Sequence, residues 1–188
     1  IRKHIKVEPE RFYYHCDKIG MFVWQDMPNG GGDYNMIFVT YLTNAFDWFA
    51  RGVKDNHYKI FKRDDAEGRA QYYNDLKEMV EQLYNYPAIA VWVPFNEGWG
   101  QFDSAACYLK MKELDDTRFV ATYSGWFKGA DTDVETEHVY FKPFKMQNYE
   151  KPLVLSEFGG YAYMPQGHAF NPENQYGYKL FKDRHAYE

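Results

Sequence analysis

Apolar residues fall along this chain in two kinds of run. One kind is short and continuous: Met21-Phe22-Val23-Trp24, Ala88-Ile89-Ala90-Val91-Trp92-Val93, Arg118 to Tyr123, His138-Val139-Tyr140-Phe141 and Leu153-Val154-Leu155-Ser156. Runs this short, partly β-branched and bounded by proline or glycine, predict strands buried on both faces, as in parallel sheets. The other kind recurs at three and four residues. Phe12, Cys16 and Ile19 precede Gly20; Tyr72, Leu76, Met79 or Val80, and Leu83 precede Tyr86-Pro87; Cys107, Met111 and Leu114 follow a cap at Asp103 or Ser104. Each is one apolar face of a helix with its start or stop signal in place.

Strand and helix therefore alternate, and each strand hands polar or aromatic residues to its C-terminal end. Gln25-Asp26 follows the first, Asn96-Glu97 the second, Ser124-Gly125-Trp126 the third and Glu157-Phe158 the last. The pattern predicts an α/β protein built of parallel βα units. Five full strands are expected, fewer than the eight strands and roughly 200 residues of a closed (β/α)₈ barrel. Three stretches break the rhythm. Residues 33–68 hold no period and read as a long strand-to-helix excursion with some helical turns, a wall of the cleft. Residues 131–137 read as an acidic loop. The tail reads as a Gly, Pro and Asn-bearing loop followed by a helix from Tyr176 to Glu188.

The composition adds little to the fold and more to the partner. With 45% hydrophobic and 26% charged residues in 188, the chain can build one globular core. Its 18 Tyr, 15 Phe and 5 Trp exceed what such a core needs. Aromatic rings line clefts and stack on the apolar faces of sugars, so carbohydrate is one partner class and an aromatic-rich core the alternative. A net charge of −5 argues against nucleic acid. No apolar run reaches the roughly 20 residues of a membrane span. Cys16 and Cys107 fall in predicted helices and read as core thiols. The first residues do not resemble a signal peptide and the chain starts in mid-pattern without Met, which leaves the compartment open, periplasmic or secreted settings included.

Glu97 and Glu157 carry the candidate chemistry. Each stands just past a buried apolar run, at the strand end where α/β sheets and barrels place their ligands. Two strands lie between them, so a barrel lets the two side chains face each other across its mouth. Paired carboxylates roughly 5 to 5.5 Å apart are the equipment of a retaining glycosidase, one attacking the anomeric carbon and the other protonating the departing oxygen. The bland reading of either Glu is a helix cap or a partner for a lysine. His4, His15, His57, His138, His168 and His185 are scattered without ligand spacing, so no metal site is expected.

Asn96-Glu97-Gly98-Trp99-Gly100-Gln101 and Ser156-Glu157-Phe158-Gly159 resemble the acid/base and nucleophile motifs of glycoside hydrolase family 2, which includes β-galactosidases, β-glucuronidases and β-mannosidases. Arg2-Lys3-His4 resembles the end of that family's second barrel strand, and Tyr13 to Trp24 the helix and third strand that follow. The resemblance implies an incomplete TIM (β/α)₈ barrel, from about the end of strand two through the helix after strand seven. Residues 1–188 would then be a partial catalytic domain lacking the first, most of the second and the eighth strand, and the β-sandwich domains that precede the barrel.

It further implies a retaining, exo-acting β-glycosidase needing no cofactor, poorly active or inactive as this piece. Glu97 would be the acid/base and Glu157 the nucleophile. Asn96 would bind the hydroxyl beside the anomeric carbon, and Arg2 would help keep Glu157 ionised. Asp26 would bind a sugar hydroxyl or cap the Gly-rich turn. His4 is a weaker match, its spacing from Arg2 being one residue short of the family pattern. His138, which opens its predicted strand, would be a structural histidine or a sugar contact; Trp99 and Trp126 would stack on sugar or belong to the core. A non-catalytic carbohydrate-binding barrel is the alternative, and a metal-dependent barrel hydrolase a third.

Overall fold

The computed structural model describes residues 1–140, 143–146 and 148–188, with the side chains of residues 44 and 47 left aside. The elements follow one another as β1 (Arg2–Lys3), α1 (Glu10–Ile19), β2 (Val23–Asp26), a π-helix (Ile37–Leu42), α2 (Thr43–Ala45), α3 (Asp47–Gly52) and α4 (Ala66–Leu83). Then come β3 (Ile89–Val93), β4 (Phe95–Asn96), α5 (Ser104–Leu114), β5 (Phe119–Val120), β6 (Tyr123–Ser124), β7 (Glu135–Val139) and β8 (Leu153–Phe158), and last β9 (Tyr161–Tyr163), β10 (Lys179–Phe181) and α6 (Arg184–Tyr187). Among the described residues no helix is long and apolar enough to cross a membrane.

Among the described residues every strand pairing is parallel. β1, β2, β3 and β5 form one sheet in that order, β4 pairs with β6, and β7 pairs with β8. β3 and β4 are one strand line interrupted at Pro94, which has no amide proton to give a neighbour. β6 is tied to β7 through Thr136, whose hydroxyl donates to the Tyr123 carbonyl at 2.8 Å and accepts the Gly125 amide at 3.2 Å. The strands thus run as one arc from β1 to β8. Arg2 on β1 nevertheless touches Glu157 on β8, at the far end of the arc, at 2.5 Å. Only a sheet curled on itself brings its two outer strands that close.

The main core lies between this sheet and the helices. Trp92 is fully buried with Tyr13 from α1, Tyr72, Leu76, Met79 and Leu83 from α4, and Cys107 and Met111 from α5. The apolar stripes of α4 and α5 are the ones that the residue periodicity predicts; on α1 Phe12 and Cys16 pack inward as expected, but Ile19 at the helix end is exposed and Tyr13 is buried in its stead. Val91 and Val93 pack instead with Ala121 and Val134, in a smaller cluster. Both cysteines are buried and free.

Four expectations are corrected. The strand expected to open at His138 spans Glu135–Val139, so His138 lies near its C-terminal end, and residues 135–137 are strand and not loop; the expected end at Phe141 lies outside the described residues. Thr136 and His138 are buried while Glu135 and Glu137 are only partly so, a period of two that polar side chains on both faces conceal. The tail helix is confined to Arg184–Tyr187, because Lys179–Phe181 pairs with Tyr161–Tyr163 as a strand. Neither Asp103 nor Ser104 caps α5: the Ser104 amide donates to Asp55 at 3.0 Å, and the Asp103 side chain makes no capping bond. Residues 33–68 do contain the expected helical turns, but the first is a π-helix, so the 3.6-residue period that betrays an α-helix is absent there.

Candidate active site

Glu97 leaves the β4 line in a left-handed conformation, φ +52°, uncommon for a residue with a side chain. Its amide donates to the Ser124 carbonyl on the neighbouring strand line at 2.7 Å, and Gly98 follows at φ +72°. A Cβ on Gly98 would stand 2.2 Å from the Phe127 ring, so the turn needs glycine for space as well as for conformation. This turn swings the Glu97 carboxylate inward, where it is buried.

Glu157 arrives by a different device. The β7–β8 register runs Glu135 opposite Leu153 through Glu137 opposite Leu155, then jumps so that His138 faces Glu157. One extra residue, Ser156, is accommodated in β8. Such a bulge re-aims the side chain beyond it. The Glu157 carboxylate is left partly open, with 27% of the side chain exposed.

Two side chains, Tyr140 and His138, bridge the two carboxylates, and Arg2 binds Glu157. The Tyr140 hydroxyl lies 2.7 Å from Glu97 Oε1 and 2.6 Å from Glu157 Oε2. His138 places Nδ1 2.8 Å from Glu97 Oε1 and Nε2 3.6 Å from Glu157 Oε1, and Nε2 is also 2.8 Å from Ser124 Oγ. Arg2 Nη1 donates to Glu157 Oε1 at 2.5 Å. Its Nη2 donates to Asn96 Oδ1 and to Asp26 Oδ2, both at 2.7 Å, and Nε donates to Asp26 Oδ1 at 3.0 Å. Arg2 is thereby fixed by a fork-to-fork pair with a buried carboxylate. Asn96 Nδ2 lies 3.1 Å from His4 Nε2, itself 4.0 Å from Glu157 Oε1.

The electrostatics follow from these contacts. Burial alone would lift the Glu157 carboxyl, but His138, the Tyr140 hydrogen bond and Arg2 together outweigh it and hold Glu157 below the ordinary glutamate value. Burial likewise works against the Arg2 charge, and the bonds to Asp26 and the proximity of Glu157 overcome it, so Arg2 stays charged. Burial first, then the adjacent carboxylates, push the Tyr140 hydroxyl up, which leaves it a hydrogen-bond donor at any working pH.

The residues singled out from the sequence separate clearly by place. Arg2, Asp26, Asn96, Glu97, His138 and Glu157 form one connected network, with His4 at its exposed edge. Asp26 gives its oxygens to Arg2 and to the Ile5 amide. Trp126 is buried with Val39, Phe61, Phe127 and Tyr140, a core setting. Trp99 is half-buried against Tyr34, ring centroids 5.6 Å apart, and its buried indole N–H has no partner among the described residues. Tyr140 went unrecognised in the sequence. Its signal was the i, i+2 spacing from His138 within the expected strand, which puts both on one face, but an aromatic in an apolar run reads as a core residue.

Ligand atoms of Glu97, His138 and Glu157 lie within 4.8 Å of one another, a cluster that sequence spacing does not reveal. The Arg2 guanidinium stands 2.5 Å from Glu157 and 3.5 Å from His138, so a metal ion there would face a fixed like charge.

A curled parallel sheet with paired carboxylates at its C-terminal edge defines an α/β barrel with a carboxylate site at its mouth. Residues 7–182 match the model of the glycosyl hydrolases family 2 TIM barrel domain, and the chain belongs to that family. It is similar to a β-galactosidase of Priestia megaterium, 28% identical over 144 residues that make up 72% of this chain and 13% of the relative. It is also similar in fold to a β-D-glucuronidase of Dictyoglomus thermophilum, with TM-score 0.60 and 16% identity over 91% of this chain and 32% of that one. A family 2 β-galacturonidase of Eisenbergiella tayi bound to glycerol gives TM-score 0.55 and 20% identity over 90% and 31%. The fold is thus an incomplete α/β TIM barrel, and the homologues are glycosidases.

Proposed function

We propose that this chain is the catalytic barrel of a retaining, exo-acting β-glycosidase, which cleaves O-glycosidic bonds through a covalent glycosyl-enzyme intermediate. The observation that carries the reading is the approach of Glu97 and Glu157, oxygens within 4.8 Å and bridged by one tyrosine hydroxyl. Inverting enzymes need room for a water between their carboxylates, roughly 6.5 to 9.5 Å, whereas retaining ones set them roughly 5 to 5.5 Å apart.

In this reading Glu157 attacks the anomeric carbon while the bond to the leaving oxygen breaks and Glu97 delivers a proton to that oxygen. Water then enters; Glu97 takes its proton, the oxygen attacks the same carbon, and the Glu157 ester is released. Arg2, His138 and the Tyr140 hydrogen bond keep Glu157 ionised and ready. Asn96 binds the hydroxyl next to the anomeric carbon, a contact that strengthens in the transition state. Asp26 serves by fixing Arg2.

The chain spans 13% of its curated relative, and Leu153, Val154 and Leu155 on β8 are only partly buried, as in a strand awaiting a neighbour. The reading therefore gives this piece little activity by itself and assigns turnover to a longer protein that supplies the remaining strands. The test is to incubate the complete protein with a panel of aryl β-glycosides, β-galactosides and β-glucuronides included, and to follow the first-formed anomer by proton NMR. Retention of the β configuration is expected; a first-formed α anomer would overturn the mechanism. Equal turnover by the isolated chain would overturn the dependence on a longer protein.

A further inference from the structure

The loop that carries Glu97 is held in place from outside the barrel. Four of its seven residues from Glu97 to Asp103 are left-handed: Glu97 (φ +52°), Gly98 (+72°), Gly100 (+67°) and Asp103 (+40°). Glu97 and Asp103 carry side chains, and such conformations persist only where the surroundings over-determine them. Within the loop there is little to do so: the Trp99 amide bonds to the Asn96 carbonyl at 2.9 Å and the Gln101 amide to the Gly98 carbonyl at 3.2 Å.

The restraint comes from the excursion between β2 and α4. Arg63 donates from Nε to the Gly100 carbonyl at 2.8 Å. Its guanidinium is itself immobilised, buried over the rings of Tyr72 and Phe102 at 5.1 and 5.2 Å. Asp55 accepts from the Ser104 amide and from Gln101 Nε2, both at 3.0 Å, which ties one carboxyl oxygen to the place where the loop turns into α5. Tyr58 donates to the Asp103 carboxylate at 2.7 Å. Three side chains spread over nine positions of the excursion therefore grip Gly100, Gln101, Asp103 and Ser104 in turn. None of them belongs to the network around the two carboxylates.

From this we infer that Asp55, Tyr58 and Arg63 are positioning residues for the acid/base, an inference that rests on Glu97 being the proton donor. A general acid works only within hydrogen-bond reach of the atom it protonates, and displacement by about 1 Å can cost on the order of a hundredfold. The excursion, which no sheet or helix period explains, exists in this account to aim Glu97.

The test compares leaving groups in the complete enzyme. A phenyl glycoside needs a proton on its departing oxygen; a dinitrophenyl glycoside leaves as a stable anion without one. For Asp55→Ala, kcat/KM on the phenyl substrate is expected to fall about tenfold or more, and on the dinitrophenyl substrate less than about twofold. Both substrates are read on the same preparation, as β-galactosides or as β-glucuronides, whichever the enzyme turns over. Loss of folded protein would lower both alike, so the ratio reports aim and not yield. Tyr58→Phe keeps the ring under Arg69 and should give the same split in milder form, so the test survives if Asp55→Ala does not fold. An unchanged ratio in Tyr58→Phe and in any foldable Asp55 variant would overturn the inference. Glu97→Gln separates the two levels: a split there without one in the excursion variants refutes the bracing alone, and no split in Glu97→Gln refutes the proton-donor reading beneath it.

Discussion

The Tyr140 hydroxyl donates to Glu157 Oε2 at 2.6 Å. The same oxygen stands 2.7 Å from Glu97 Oε1, yet a phenol carries a single proton and can give it to one carboxylate at a time. Replacing Tyr140 with Phe removes one of the contacts that hold the Glu157 carboxyl below its ordinary value of 4.5. The acid limb of kcat/KM in Tyr140→Phe should move to higher pH, with a loss of about tenfold or more at the optimum. The sign extends to folding. A depressed carboxyl stabilises the fold above its unfolded-state value, and this contribution fades as pH falls through the folded-state value. In the variant this contribution is smaller, and its loss is complete at a higher pH. A pH–rate profile with an unmoved acid limb would contradict this account of Glu157.

Arg2 is the next link. It lies between Asp26, Asn96 and Glu157, and Asp26 is nearly inaccessible. Arg2→Met keeps length and leaves the Asp26 carboxylate buried without its partner, so stability should drop by about 3–5 kcal/mol. The double variant Arg2→Met with Asp26→Leu should recover much of that stability and none of the activity. Urea denaturation and aryl glycoside turnover on the same samples distinguish the two effects.

Outside this network, Asp115 accepts from Trp92 Nε1 at 2.9 Å, Arg118 Nη1 at 2.6 Å and the Thr117 amide and hydroxyl at 2.9 and 2.6 Å. Burial would raise its carboxyl, and these bonds outweigh it, bringing it down to about 2. Asp115→Ala should destabilise by about 3 kcal/mol by removing the only carboxylate that Arg118 is paired with among the described residues and leaving the Trp92 indole unpaired. In the wild type the stabilisation by Asp115 should persist above the ordinary aspartate value of 3.8 and be lost as pH falls toward about 2. Acid titration of stability in the two proteins should differ in that window.

Two glycines make a paired comparison. Gly98→Ala sets a Cβ 2.2 Å from the Phe127 ring at a positive φ, while a Cβ on Gly129 meets nothing within 4 Å. Gly98→Ala is expected to cost about 1–3 kcal/mol and to lower turnover by displacing Glu97, whereas Gly129→Ala should be close to neutral. Equal melting temperatures for the two variants would contradict the account of the turn.

How much of this was legible in the sequence depended on whether local pattern or long-range contact decided the outcome. The strands around Val23, Val91 and Leu155 and the helical stripes of Tyr72 and Cys107 were readable because an apolar face has a period. Glu97 and Glu157 were readable because each interrupts an apolar run at its C-terminal end. The first half of β7 was not, since it has acidic residues on its outer face and Thr136 within, and a strand polar on both sides looks like a loop. The grip of Asp55 and Arg63 on the Glu97 loop was beyond reach, because a contact between side chain and backbone across 37 to 49 positions leaves no periodic trace.

The central claim is that Glu157 forms a bond to the sugar and Glu97 supplies the proton. The most direct test is Glu157→Ala in the complete protein, assayed with an aryl β-glycoside that the wild type cleaves, with and without azide. The account predicts that hydrolysis is abolished and that azide restores part of the turnover, giving a glycosyl azide of inverted configuration. Undiminished hydrolysis by Glu157→Ala would contradict it.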